Sequence, residues 1–352
     1  MPNVLTFSIF KLSLFAILSF LLAWAWTPML YRVLKRYNLG KQIRDANVAP
    51  IFAKLHQGKV GTPTMGGVLI WVTTLIIAVA TYYLSIFFPQ SIFRDLNFLT
   101  RSQVWLPLGA LVASAIVGAF DDLFNVKKIG PIGGGFRMRH RIILYTAIAC
   151  VGAWWFYFKL GWDILHVPFF GDFNIGWWYI PFFIFVIVAT AFSVNEIDGL
   201  DGLAGGTLLT AFGAFAAIAF IEGKYDIATF CTVIIGSLLA FLWFNIYPAK
   251  FFMGDTGAMS LGVTLGIVAM LTNAALLLPV IGLLFVLESL SVIIQVTSRK
   301  MRKKKVFLSA PLHHHLEAIG WKEPTIVMRF WVISGVMAVV GLIIALVDKG
   351  LY

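Results

Sequence analysis

Five carboxylates sit where long apolar stretches end: Asp121, Asp122, Asp198, Asp201 and Asp255. A charged side chain at mid-bilayer costs roughly 3 kcal/mol on insertion scales, so acids in such places point first to function. Carboxylates are hard oxygen donors, suited to a cation such as Mg2+. Asp121 and Asp122 close an apolar run at what reads as a helix C-terminus, where the helix dipole disfavours anions unless a cation compensates. Neighbours on a helix point about 100° apart, so the two acids should have different tasks. The plainer reading is an interfacial pair neutralised by Lys127 and Lys128.

Around Asp198 and Asp201 the chain reads Asn195-Glu-Ile-Asp198-Gly199-Leu200-Asp201-Gly202. Two Asp-Gly steps break the helix and allow close backbone approach to a ligand. The spacing is not that of an EF-hand. The loop from Asn245 to Asp255 offers a carboxylate for a metal and the Phe252 ring for a nucleobase, although interfacial anchoring explains its aromatics equally well. Lys59 to Gly67 puts a cation and the Thr64 hydroxyl just before an apolar run. It resembles a phosphate-positioning loop but is not a Walker A motif. His313, His314 and His315 are adjacent, so they cannot all face one ion, and no His-x-x-x-His occurs. The run alone is a poor zinc site; hydrogen bonding to a phosphate, or an interfacial basic cluster, suits it better.

The elements that carry these residues are apolar. The 352 residues are 60% hydrophobic and 12% charged, with a mean hydropathy of +0.90. Such a composition excludes an ordinary soluble domain and predicts an all-α polytopic membrane protein. Ten spans are expected, at 12–33, 64–88, 104–124, 140–158, 178–195, 203–221, 228–246, 256–273, 276–298 and 329–348. Each is long enough, or nearly so, to cross about 30 Å of hydrocarbon. The first reads as a retained helix rather than a signal peptide. Cys150 and Cys231 fall inside spans and read as packing residues. No repeat or linker appears, so residues 1–352 are expected to form one domain.

Lysine and arginine set the orientation. Arg32, Lys35, Arg36, Lys41, Arg44, Lys54 and Lys59 lie in the first loop, and Lys127, Lys128, Arg137, Arg139 and Arg141 in the third. Lys250 lies in the seventh; Arg299, Lys300, Arg302 to Lys305, Lys322 and Arg329 are in or beside the ninth. By the positive-inside rule the odd loops are cytoplasmic and both termini periplasmic. All five acids then share the cytoplasmic face. Topology explains most of the net charge of +11, with anionic lipid or phosphate as a further partner. Nucleic acid is not expected.

Carboxylates, a divalent cation, lysines and histidine at the lipid boundary suit phosphoryl transfer. Exchange of one pyrophosphate linkage for another needs no ATP. The residues themselves reach a metal-dependent transferase acting on a lipid phosphate. A transporter with carboxylate relays is the rival, but such sites lie near the midplane.

Taken in order, the Thr62-Pro-Thr-Met-Gly-Gly67 run, Asp121-Asp122, Asn-x-x-Asp-Gly-Leu-Asp-Gly-Leu, Phe252-Met-Gly-Asp255, Glu288 to Gln295 and Ala-Pro-x-His-His-His closely resemble the phospho-N-acetylmuramoyl-pentapeptide-transferase (MraY) family. The resemblance covers the chain from about residue 20. The triple histidine separates this family from related polyprenyl-phosphate N-acetylhexosamine-1-phosphate transferases, the alternative reading.

The resemblance implies ten helices, a homodimer in the bacterial inner membrane, and Mg2+. It implies transfer of phospho-MurNAc-pentapeptide from UDP-MurNAc-pentapeptide to undecaprenyl phosphate, giving lipid I and UMP at the cytoplasmic face. Asp255 would hold the metal, with Asp122 and Asp198 supporting metal and phosphate geometry. Asp121 would be the base on the lipid phosphate and a further candidate metal ligand. Gly199, Leu200, Asp201 and Phe252 would form the uracil pocket. Lys59, Thr64, Asn195, Asn245, Gln295 and His313 would line the nucleotide and diphosphate region, with His314 and His315 beside them. Four features depart from the pattern: Glu196-Ile197, Ala258, a lysine-poor loop at 130–135, and Arg141 in place of lysine. Arginine keeps the charge but adds a fork geometry.

Overall fold

The computed structural model describes residues 2–40, 56–100, 102–130 and 134–350. Lys41, Arg44, Lys54 and part of the 130–135 loop, all invoked above, lie outside the described residues. Nine described helices are long and apolar enough to cross a membrane, or ten if one broken pair counts as a span. The all-α expectation holds apart from one hairpin of four-residue strands.

Helix α1 runs from Pro2 to Arg36, starting well before the hydropathy boundary at residue 12. Then come α2 (Val68–Phe87), the short α3 (Ile92–Leu96) and α4 (Ser102–Val126). Helix α5 (Met138–Trp154) continues as a π-helical turn, Trp155–Lys159. Strands β1 (Ile164–Val167) and β2 (Gly171–Asn174) pair antiparallel. Helices α6 (Tyr179–Ile197), α7 (Leu203–Ile221), α8 (Tyr225–Asn245) and α9 (Gly254–Leu271) follow with short connections. The chain ends with α10 (Leu278–Ile281), α11 (Leu283–Met301), α12 (Leu312–Ala318) and α13 (Glu323–Asp348).

The expected span 276–298 is a broken one. Asn273 adopts a left-handed conformation (φ 48°) after α9 ends. Ala275–Ile281 then meets Leu283–Met301 at an 82° bend. Pro279 sits in the first turn of α10, where its missing N–H leaves nothing unpaired, and Gly282 occupies the bend. Hydropathy reports composition along the chain and is blind to such a change of direction.

Helix α9 is the centre of the bundle, between α4 and α6. Every residue of α9 is buried except Asp255, in its first turn. Without a hydrophobic force between spans, close approach of small residues supplies the packing. A Cβ at Gly118 of α4 would lie 2.3 Å from the Asp255 carbonyl oxygen, and one at Gly262 would lie 2.8 Å from Ala191 Cα on α6. Large exposed apolar side chains, among them Leu21 on α1, Ile143 on α5 and Val332 and Ile343 on α13, cover the outside, as contact with lipid requires.

At the end of the bundle away from the acids, His166 ties the hairpin to α13. Its Nδ1 lies 2.6 Å from Asp172 Oδ1 and its Nε2 2.6 Å from Asp348 Oδ2. Partial burial works against a charged ring, but the hydrogen bonds to Asp348 and Asp172 outweigh it and raise the pKa above the usual histidine value. A raised histidine stabilises the fold fully below its unfolded value and loses that contribution as pH climbs through the folded one. The melting temperature should therefore fall as pH rises above about 6.5. A His166→Gln variant should show a flatter profile over that window in a thermal-shift series; identical slopes would exclude the latch.

Candidate active site

Distant segments bring three of the acids and an asparagine to one end of the bundle. Asp121 and Asp122 come from the last turns of α4, Asn195 from the end of α6 and Asp255 from the start of α9. Arg141, in the first turn of α5, lies between them. Its guanidinium donates to Asn195 Oδ1 at 2.7 Å and to Asp255 Oδ2 at 2.9 Å. Its Nε is 2.7 Å from Asp121 Oδ2, close enough for an ion pair but not aligned as a hydrogen bond, so both buried atoms lack a hydrogen-bond partner. Asn195 Nδ2 donates to Asp255 Oδ1 at 2.6 Å, and the Phe136 N–H donates to Asp121 Oδ1 at 2.5 Å. The arginine that stood out in sequence as a loop charge and a departure from the family pattern is thus the positive centre of the acid cluster.

Asp122 has a different task, as the helix geometry required. It accepts from the Thr256 N–H at 3.0 Å and from the Thr64 hydroxyl at 3.3 Å, so it joins α4 to the start of α9 and to the loop before α2. Gly254 makes this possible: its φ is +75°, and a Cβ there would fall 2.6 Å from both Asp122 Oδ2 and Thr64 Oγ1. Main-chain bonds align the two loops. The Phe252 N–H donates to Pro63 O at 2.8 Å, Gly66 N–H to Phe252 O at 2.7 Å and Gly67 N–H to Met253 O at 2.8 Å. Within this loop Met65 is held in the left-handed region (φ 71°), a local strain of the kind that collects at functional sites.

The second cluster surrounds Lys59. Its ammonium donates to Asp201 Oδ1 at 2.6 Å and to Glu323 Oε1, and it lies 5.8 Å from the centre of the Phe252 ring. Asp201 also accepts from the Ala249 N–H at 3.0 Å. Asn245 bridges the Gly202 N–H and the Phe251 carbonyl, fixing the Asp-Gly turn against the aromatic loop. Asp198 caps α6 and is half-buried; Leu200 is buried between it and Lys59's partner Asp201 in sequence. Glu323 was not anticipated. As an acid opening the last apolar run it satisfies the rule that selected the other five.

The histidines diverge, as three neighbours on a helix must. His313 is fully buried with Nδ1 3.1 Å from Glu288 Oε2, and a Cβ on Gly199 would lie 2.1 Å from its Nε2. Its ring therefore packs on the Gly199 backbone. Burial alone would lower its pKa, but Glu288, helped by Glu317 and Glu196, raises it. His314 turns to Glu317, its Nδ1 2.7 Å from Oε2, and His56 Nε2 lies 3.2 Å from the same oxygen. Burial and the neighbouring His313 push His314 down to about 3. Burial would raise Glu317, but bonds from His314 and His56 hold it at about 2. His315 accepts from the Leu308 N–H at 3.3 Å. Gln295 is spent on the same segment: it donates to Phe307 O and accepts from the Val306 and Phe307 N–H groups. Neither Gln295 nor His315 is brought to the acid cluster by these contacts.

The donor set suits a hard divalent cation: carboxylate oxygens from Asp121 and Asp255, one of them without a hydrogen-bond donor, beside an asparagine. A polytopic bundle with such a centre defines a membrane transferase, and the profile of Glycosyl transferase family 4 matches residues 104–273, from α4 past the end of α9. The phospho-N-acetylmuramoyl-pentapeptide-transferase signature 1 matches residues 59–70. The phospho-N-acetylmuramoyl-pentapeptide-transferase of Chloroflexus aurantiacus is 38% identical over 329 residues, covering 90% of this chain and 84% of its own. That of Geobacillus thermodenitrificans is 39% identical over 330 residues, covering 93% and 95%. The protein from Pelagibacter ubique with the same name is 38% identical over 305 residues, 81% and 80% of the two chains. The chain belongs to the phospho-N-acetylmuramoyl-pentapeptide-transferase family.

Proposed function

We propose that the chain transfers phospho-MurNAc-pentapeptide from UDP-MurNAc-pentapeptide to undecaprenyl phosphate, forming lipid I and releasing UMP. A phosphate oxygen of the acceptor bonds to the β-phosphorus of the donor as the bridge to the α-phosphorus breaks. One pyrophosphate is exchanged for another, so no further energy source is needed. The observation that carries this reading is the meeting of Asp121, Asp255, Asn195 and Arg141, continuous through Asp122, Thr64 and Phe252 with the Lys59–Asp201 pair.

Asp255 would hold Mg2+, with Asp121, Asp122 and Asp198 as further candidates. When bound, the ion would neutralise charge on the diphosphate. Asp121, in an ion pair but short of hydrogen bonds, is the group to take a proton from the acceptor phosphate. Arg141 offers its fork to the transferring phosphates once the acids have another cation. Lys59, Asp201, Gly199, Leu200, Asn245 and Phe252 would form the nucleotide side, with the Phe252 ring stacking on uracil. His313 supports that side from beneath Gly199, and Thr64, Asn195, His314, His315 and Gln295 shape its surroundings. The lysine and arginine distribution supports a cytoplasmic catalytic face in the bacterial inner membrane, with both termini periplasmic. The working unit is taken to be a homodimer in one transferase domain.

Purified chain in detergent, given undecaprenyl phosphate and Mg2+, should release UMP and form a lipid product from UDP-MurNAc-pentapeptide. Product formed only from UDP-GlcNAc would overturn the assignment in favour of a sister hexosamine-1-phosphate transferase.

A further inference from the structure

Behind the nucleotide side lies a group of side chains to which the proposed reaction assigns no chemical step. His56, from the turn before Lys59, and His314 and Glu317, from α12, meet although the two segments are far apart in sequence. One ring nitrogen of each histidine and a Glu317 oxygen all lie within 4.8 Å of one another. Both rings aim at one carboxylate oxygen, at 3.2 and 2.7 Å. The two imidazoles are edge to face, 5.5 Å between centroids. His56 and Glu317 are buried and His314 is nearly so.

We propose that His56, His314 and Glu317 form a second metal site, specific for zinc or a similar transition ion and separate from the acid cluster. Two imidazoles and one carboxylate are the three-ligand set that zinc accepts, with water in a fourth position. Magnesium and calcium prefer all-oxygen shells, so an ion held here would differ from the one expected at Asp255. The histidine run does not supply the site by itself: only its middle member takes part, and the other ligands come from one helical turn on and from a distant loop. His314 and Glu317 stand three apart on α12, hence on one face.

An ion at this position would do a definite job. Gln57–Lys59 is a single 3-10 turn whose Lys59 N–H donates to His56 O at 3.0 Å. Pinning His56 to α12 therefore fixes where the turn delivers Lys59, against Asp201 and Glu323. The ion would be a positioning element for the donor side. The competing arrangement, two imidazole N–H groups donating to one carboxylate, needs no ion and gives different experimental results.

The chain should be purified without a polyhistidine tag or metal-affinity matrix, so that no metal is introduced, and its metal content measured by mass spectrometry. About one zinc per chain is expected. Cobalt added to stripped protein should saturate at one equivalent and show the strong visible bands of a four-coordinate nitrogen–oxygen site. His56→Ala and Glu317→Gln should each weaken cobalt binding more than about 100-fold, beyond the loss usual for outer-shell changes. His56→Cys should keep the ion and add a thiolate-to-cobalt charge-transfer band, which identifies the ligand directly even if the alanine variant fails to fold. Absence of saturable cobalt binding to the parent chain overturns the proposal. So does a cobalt-loaded His56→Cys protein with an unchanged spectrum. Loss of UMP release with intact cobalt binding would strike at the transferase reading instead, so the two failures are distinguishable.

Discussion

Asp255→Asn is expected to lower Mg2+-dependent UMP release by at least about a thousandfold, the scale of losing a directly engaged electrostatic group. The substitution keeps the shape of the side chain and removes its charge. In the protein both carboxylate oxygens accept hydrogen bonds, Oδ1 from Asn195 and Oδ2 from Arg141; an amide of the same shape can keep one of these bonds and gives up the other. Folding should survive, because α9 is anchored along its whole buried length and only its single accessible residue is altered. The loss should therefore appear chiefly in turnover and in Mn2+ affinity followed by electron paramagnetic resonance, with only a modest fall in thermal stability. Near-normal turnover would count decisively against the metal role.

The second large effect is expected from Arg141→Met, and it should depend on the metal. One guanidinium neutralises two carboxylates that are largely removed from water. Removing one partner of a buried ion pair costs about 3–5 kcal/mol, because the remaining charge is stranded. Here two charges are stranded beside each other. In EDTA the variant should melt well below the parent. Excess Mg2+ should restore much of the loss, since an ion that binds only the folded state stabilises it. The Mg2+-induced rise in melting temperature should thus be larger in the variant than in the parent. Arg141→Lys should recover stability in part: a compact ammonium can approach one acid but cannot bridge Asp121, Asn195 and Asp255 as the fork does. Equal Mg2+ shifts in parent and variant would show that the arginine and the metal do not compete for these acids.

What could be read in the chain was what lies contiguous along it. The acids at apolar ends, the Asp-Gly turns and the Phe-Met-Gly-Asp run each carry their local chemistry with them, and the family resemblance joined them. Pairings across the chain were not legible. Lys59 meets Glu323 across 264 positions, and His56 meets Glu317 across 261, with no periodic signal to announce either. Glu323 could have been found by applying the rule for apolar ends once more, and Glu317 by noting that it shares a helix face with His314. Gln295 is a different case. A polar residue in an apolar span invites a ligand, and its amide also satisfies the backbone of the 306–307 segment, a contact that nothing in the sequence announces. The break at Gly282 escaped because both sides of it are equally apolar.

The three main-chain bonds between residues 63–67 and 252–253 bear on how this centre can evolve. They use only peptide groups, so the alignment of the two loops does not itself depend on which side chains they carry. The selective burden falls instead on atoms that must be missing. A methyl group on Gly66 would come within 2.3 Å of the Phe251 ring, and one on Gly67 within 2.2 Å of Gly257. Mutational tolerance in this region should thus be uneven: permissive where a residue presents chemistry outward, closed at the two places where the chain presents nothing at all.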